Sequence, residues 1–174
     1  MRRAALAAPL AIMAVAGGCK ADAEPVGGNT PEACAGVAEI ALTGRVTDAA
    51  NILSAEQETR LSARLARYEK HTTHQMAIAT APDLKGIDVG VFGDCLGNRW
   101  GLGHRDRDDG ILILVAPNDR RVRISTGTGM EDMLTDEEAR TVIDQMTPYF
   151  RSLDYAGGLS VGVEAIAVQT GEPR

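Results

Sequence analysis

The feature that most constrains this chain is an unbroken apolar run, ILILVA, at residues 111–116. A short run without polar residues is typical of a central strand that helices cover on both faces. The segment QMAIATA at 75–81 predicts a second strand, and the apolar stripe at 88–100 predicts a helix between the two. Such a βαβ unit has parallel strands and a right-handed crossover. The alternating segment RVRIST at 121–126 follows a turn and predicts an antiparallel neighbour.

Helices flank this unit on both sides in the sequence. Two capping boxes, SAEQ at 54–57 and TDEE at 135–138, open amphipathic helices, because the first and last residues of each box exchange hydrogen bonds. A last helix is predicted at 155–169, whereas the segment at 44–47 is too short to assign as a strand. The predicted fold class is therefore α/β, a small three-layer α/β/α sandwich with a mixed sheet of three to four strands.

The N-terminal segment predicts export. Two arginines precede an apolar stretch at 4–16, which is too short to span a bilayer as a stable helix. Small residues then lead directly to Cys19, which resembles a bacterial lipoprotein signal with a lipidated cysteine. Because Ala16 stands where that pattern usually has leucine, ordinary secretory cleavage nearby is the alternative. We expect a signal peptide at 1–18, a flexible tether at 19–31, and a lipid-anchored protein on the periplasmic or cell-surface side of a bacterial membrane.

Two cysteines remain after Cys19, and they predict a disulfide. In an oxidising compartment an even number of cysteines favours a bridge, here between Cys34 and Cys95. The bridge would hold an N-terminal extension at 32–43 against a domain at 44–170, which is followed by a tail at 171–174. Closing so long a loop would stabilise the fold by about 4 kcal/mol. The alternative is two separate buried thiols.

The charge balance excludes nucleic acid as a partner. The chain has 18 Lys and Arg against 24 Asp and Glu, a net charge of −6. Removing Arg2 and Arg3 with the signal peptide leaves 16 against 24, or −8. No basic cluster stands against this acidic background, so a phosphate backbone would be repelled. Metal cations or basic surfaces suit such a protein better.

An acidic cluster is predicted where two loops meet. Antiparallel pairing of the hairpin places HRDRDDG at 104–110 beside GTGMED at 127–132, at one end of the sheet. Carboxylates and loop carbonyls are the ligands that Ca²⁺ prefers, and other divalent metals can share them. The alternative is a solvated acidic loop that Arg105 and Arg107 neutralise. The predicted metal ligands are Asp106, Asp108, Asp109, Glu131 and Asp132.

Several motifs together resemble one protein family, the TPM domain family. The resemblance implies this α/β fold and an exported or lumenal location. Members are described as acid phosphatases, as divalent-metal binders and as accessory modules of larger membrane complexes. Asp108 and Glu131 match the family pattern and are the strongest ligand candidates, whereas Asp109 stands where the family usually has asparagine. The matching segments are VTDAANILS at 46–54, WGLG at 100–103, DDGILILVA at 108–116, RVRISTGTGMEDMLTD at 121–136 and DYAGGL at 154–159.

Three functional hypotheses follow. The first is an accessory module that is tethered to the membrane, binds Ca²⁺ and serves a cell-envelope protein or complex. The second, an alternative, is a metal-dependent acid phosphatase that acts on phosphomonoesters, with Arg105, Arg107 or Arg123 holding the phosphate. The third is an adhesion or scaffold domain whose acidic loop binds nothing. The chain lacks the DxDGT motif, and no residue can be assigned a catalytic role from the sequence.

Overall fold

The computed structural model describes residues 32–172. The predicted signal peptide, the tether with Cys19, and the last two residues lie outside the described residues. The described part has four strands, four α-helices and one short 3₁₀ turn. The strands are β1 (Val46–Asp48), β2 (Gln75–Thr80), β3 (Gly110–Ala116) and β4 (Arg121–Thr126). The helices are α1 (Ala55–Thr72), α2 (Val89–Trp100), α3 (Asp136–Arg151) and α4 (Tyr155–Gln169), and the 3₁₀ turn is Thr128–Met130.

The four strands form one mixed sheet in the order β1-β2-β3-β4. β1, β2 and β3 are parallel, and β4 is antiparallel to β3. In the centre of the sheet Ile113 lies opposite Ile78 on one side and Ile124 on the other. The predicted α/β fold with a mixed sheet is confirmed. The segment at 44–47, too short to assign from its sequence, overlaps the three-residue strand β1.

Helices cover the sheet on both faces, which explains the apolar run. Every residue of β3 is buried. Ile111, Ile113 and Val115 pack with α1, α3 and α4, while Leu112 and Leu114 pack with α2 on the other face. A strand in the middle of a three-layer sandwich has no solvent-facing side, so it needs no polar residue.

The two crossover connections, from β1 through α1 to β2 and from β2 through α2 to β3, have opposite handedness. Both step in the same direction across the sheet, from β1 to β2 and from β2 to β3. Their helices nevertheless lie on opposite faces, α1 on one and α2 on the other. One of the two crossovers therefore departs from the right-handed rule.

Both predicted capping boxes are present. The Ser54 and Thr135 side chains accept hydrogen bonds from the backbone N–H groups of Gln57 and Glu138, whose side chains accept in return. Each box fixes the first turn of its helix, because it satisfies donors that the helix leaves free. The second box sets the N-terminus of α3 directly after the loop that follows β4.

The N-terminal extension is fastened to α2. The predicted Cys34–Cys95 disulfide is confirmed, with a Cα–Cα distance of 5.6 Å. Arg99 Nη1 donates to the carbonyl of Ala38 at 3.0 Å, and Trp100 Nε1 donates to that of Ile40 at 2.8 Å. Val37 of the extension and Cys95 join the buried cluster between α2 and the sheet, so the extension is part of that layer. Across residues 32–172 no helix has the length and apolar character needed to cross a membrane.

Candidate functional site

A cleft of 530 Å³ opens between α2 and the edge strand β4. It lies at the end of the sheet where β3 begins and β4 ends, the end at which the sequence predicted an acidic cluster. Gly110, Leu112 and Ser125 of the two strands line it, and Gly93 and Gly97 line it from α2. The small residues leave the space open, and polar side chains surround it.

Asp108 is held in place at the rim of this cleft. Its backbone has φ +47°, in the left-handed region, where aspartate is better tolerated than most residues. Its Oδ2 accepts hydrogen bonds from the backbone N–H of Thr128 at 2.8 Å and from the Thr128 hydroxyl at 2.9 Å. A Cβ on Gly127 would lie 2.1 Å from the Asp108 carbonyl oxygen, so glycine is required there. The two loops are thus locked together.

The structure brings two of the five predicted ligands to the cleft. Asp108 and Glu131 line it and Asp106 and Asp132 do not, although all four residues are exposed to solvent. Within the part of the chain that the structure describes, no three His, Cys, Asp or Glu side chains are already gathered around one point as a metal would require. Asp109 does not line the cleft, and its side chain contacts His104 instead.

Asp109 is a buried carboxylate surrounded by donors. Its side chain is only 2% exposed. Oδ1 accepts from the His104 backbone N–H at 2.8 Å, and Oδ2 accepts from Arg107 Nε at 2.9 Å. The Nδ1 atoms of His104 and His74 lie 2.9 and 3.3 Å from its oxygens. Burial alone raises the pKa of Asp109, but these hydrogen bonds outweigh it and hold the pKa far below the usual range of a carboxyl.

Two further carboxylates line the cleft that the sequence did not single out. Asp94 lies on α2 and Asp136 is the first residue of α3. The signal for Asp136 was its place in the capping box, which was interpreted only as a helix start. Asp94 could have been found only by knowing that this side of α2 faces β4, because helical spacing does not say which neighbour a polar side meets.

One arginine of the three suggested for phosphate lines the cleft, and it is Arg123. Its Nη1 lies 3.8 Å from Asp136 Oδ1. Arg107 instead contacts Asp109, and its Nη2 donates to the carbonyl of Thr73 at 3.0 Å. The cleft therefore combines four carboxylates with a single cation, so its field favours cationic ligands over most of its surface.

Comparisons with known proteins agree on the fold. The N-terminal domain of a protein from P. gingivalis is 36% identical, over 73% of this chain and 82% of its own, with a TM-score of 0.66. The N-terminal domain of the cg2496 protein from Corynebacterium glutamicum is 16% identical, over 79% and 86%, with a TM-score of 0.61. The BA42 protein from the psychrophilic bacterium Bizionia argentinensis is 22% identical, over 68% and 81%, with a TM-score of 0.60. The last two similarities show the fold alone.

No curated protein matches the chain. The family model for the TPM domain matches residues 46–169, which span all four strands and all four helices. The P. gingivalis domain supports the same assignment by sequence as well as by fold. The motifs that suggested the family lie where that fold requires them, around the sheet and the cleft. The chain belongs to the TPM domain family.

Proposed function

We propose that the cleft binds a divalent cation, Ca²⁺ in the first place, through Asp108 and Glu131. The observation that carries the proposal is that these two carboxylates, from two different loops, line one cleft together with Asp94 and Asp136. Backbone carbonyls and water would complete the ligand shell, since Ca²⁺ accepts six to eight oxygens of mixed kinds. A cation there would also relieve the repulsion among the four carboxylates.

The wider role that we propose is an accessory module of the bacterial cell envelope. The Cys34–Cys95 disulfide supports an exported location, because such bonds persist in oxidising compartments. The N-terminal pattern of the sequence supports a lipid anchor on Cys19. A bound cation would stiffen the cleft end and offer it to a cell-envelope protein, and the acidic surface suits a basic partner.

Calorimetric titration of Ca²⁺ into the metal-stripped protein tests the cation site. We expect saturable binding that Asp108→Ala and Glu131→Ala each weaken at least tenfold, because each substitution removes a charged ligand. Thermal melting of each variant without metal controls for folding. Absence of heat at millimolar Ca²⁺, or unchanged affinity in both variants, would refute the site.

A metal-dependent phosphatase is the second candidate function, and Arg123 is the observation that favours it. Arg123 lines the same cleft as the proposed cation ligands, so a phosphomonoester could meet both. A bound cation would polarise the phosphoryl group or lower the pKa of a bound water. We expect any true turnover of para-nitrophenyl phosphate to require the metal and to disappear in Asp108→Ala. Turnover that survives this substitution would come from a contaminant or from another site.

A further inference from the structure

Two buried polar groups in the cleft wall have no role in the proposed cation site. Arg123 and Ser125 are two residues apart on β4, so both point to the face that α2 covers. Ser125 is 7% exposed. Among the described residues, neither Ser125 Oγ nor Arg123 Nε has a hydrogen-bond partner. Buried polar groups are nearly always hydrogen-bonded, so this pair calls for a partner from outside the chain.

α2 passes too close to supply that partner. A Cβ added to Gly93 would lie 2.7 Å from Ser125 Oγ and 3.4 Å from Arg123 Cγ. Glycine at position 93 is therefore what allows α2 to pack directly over the serine hydroxyl. Both Ser125 and Arg123 line the cleft, and the Arg123 side chain is 35% exposed, so a group that enters the cleft meets the guanidinium beside Ser125.

Arg123 and the start of α3 supply the positive charge that an anion would meet in this corner of the cleft. The contact between Arg123 and Asp136, at 3.8 Å, is too long for a hydrogen bond, so the guanidinium keeps donors to spare. Thr135 and Asp136, at the N-terminus of the 16-residue helix α3, line the same part of the cleft. The positive end of the helix dipole adds to the charge of the arginine. Asp136 offsets part of this positive charge, so the corner is less acidic than the rest of the cleft.

We propose that Arg123 and Ser125 form an oxyanion subsite, in which Nε–H and the hydroxyl donate to one oxygen of a phosphate or carboxylate group on a small ligand. The subsite explains both unpartnered donors at once, since each can donate and neither is otherwise used. A ligand with such a group would use both ends of the cleft, its anion on Arg123 and the cation on the carboxylates. In that respect the inference rests on the proposed function.

Titration of inorganic phosphate, followed by NMR at the Arg123 Nε–H signal and the Ser125 amide, tests the subsite. The purified protein is titrated without metal and again with Ca²⁺, and acetate replaces phosphate in a parallel series. We expect saturable shifts at both signals, with affinity reduced about tenfold by Ser125→Ala and about a hundredfold by Arg123→Gln. Arg121→Gln is the matched control, because it removes the same charge from an exposed position of the same strand.

The outcomes separate the subsite from the cation site. Phosphate binding that Ser125→Ala weakens supports a phosphate subsite, and acetate binding with the same dependence identifies a carboxylate subsite. If Arg121→Gln and Arg123→Gln reduce the affinity for phosphate equally, the binding is general charge attraction and the subsite is overturned. The absence of a saturable shift at either NMR signal would also overturn it. If phosphate binds the metal-free protein but Ca²⁺ does not bind, the subsite stands and the proposed function fails. If Ca²⁺ binds and neither anion does, the proposed cation site stands and the oxyanion subsite fails.

Discussion

Single residues in the loop before β3 divide into two groups with different tasks. Asp108 points to the cleft and is held by Thr128, whereas Asp109, the next residue, is buried among donors from His104, Arg107 and His74. The Asp109 contacts fix the loop on one side and thereby fix the position of Asp108 on the other. From the sequence both belonged to one predicted cluster, and only the family resemblance ranked Asp108 above Asp109.

Asp109→Asn should destabilise the protein by about 1–3 kcal/mol, because an amide offers N–H groups where the surrounding donors need an acceptor. Asp109 has its pKa lowered in the folded state, so its contribution is present above the pKa of an unfolded aspartate, about 3.9, and is lost as the pH falls towards the lower folded-state pKa. Urea unfolding of both proteins at pH 7 and at decreasing pH measures the effect. The difference in the free energy of unfolding between the two proteins should become smaller as the pH falls.

Asp106→Asn provides the control for this prediction, since Asp106 is exposed in the same loop. Its stability should stay within about 0.5 kcal/mol of the parent protein. If Asp109→Asn were equally harmless, the buried contacts would not organise the loop.

Individual elements follow closely from the sequence, because caps and apolar periodicity act locally. α1 and α3 begin at the predicted capping boxes, and the predicted strand over 121–126 is β4 itself. The site was less predictable. The hairpin register indicated correctly which loops meet, but which carboxylate turns to the cleft depends on Thr128 and on the donors around Asp109. Those contacts join segments far apart in the chain, and a single sequence does not reveal them.

The N-terminal extension should depend on its disulfide. Reducing Cys34–Cys95 should lower the free energy of unfolding by about 4 kcal/mol, because a long loop is no longer closed in the unfolded chain. Urea unfolding with and without a reductant measures this difference. The double substitution Cys34→Ala with Cys95→Ala should remove the sensitivity to reductant. Equal stability with and without reductant in the parent protein would show that Arg99 and Trp100 hold the extension unaided.

In the molecule as a whole, contacts between helices brace one face of the sheet, and the cleft lies on the other face, between α2 and β4. Away from the cleft lining, the Arg64 guanidinium ties α1 to Glu164 of α4, at 2.6 Å, and to Glu172 near the C-terminus. Hydrogen bonds to Glu164 raise the pKa of Arg64 further above its usual value, so the arginine stays charged. The buried Tyr68 hydroxyl lies 2.7 Å from that of Thr170 and joins the same two segments. This helical layer is thereby braced, whereas among residues 32–172 the only ion pair of a cleft carboxylate is the one between Asp136 and Arg123.

We expect Asp108 and Glu131, and not the acidic loops in general, to bind a divalent cation. The most direct measurement is a Ca²⁺ titration of two double variants that lose the same two charges. Asp108→Asn with Glu131→Gln removes two carboxylates that line the cleft, and Asp106→Asn with Asp132→Asn removes two from the same loops that do not line it. We expect the first double variant to lose saturable Ca²⁺ binding and the second to keep it. Equal losses of affinity in the two, or binding that survives in the first, would show that Asp108 and Glu131 are not the ligands.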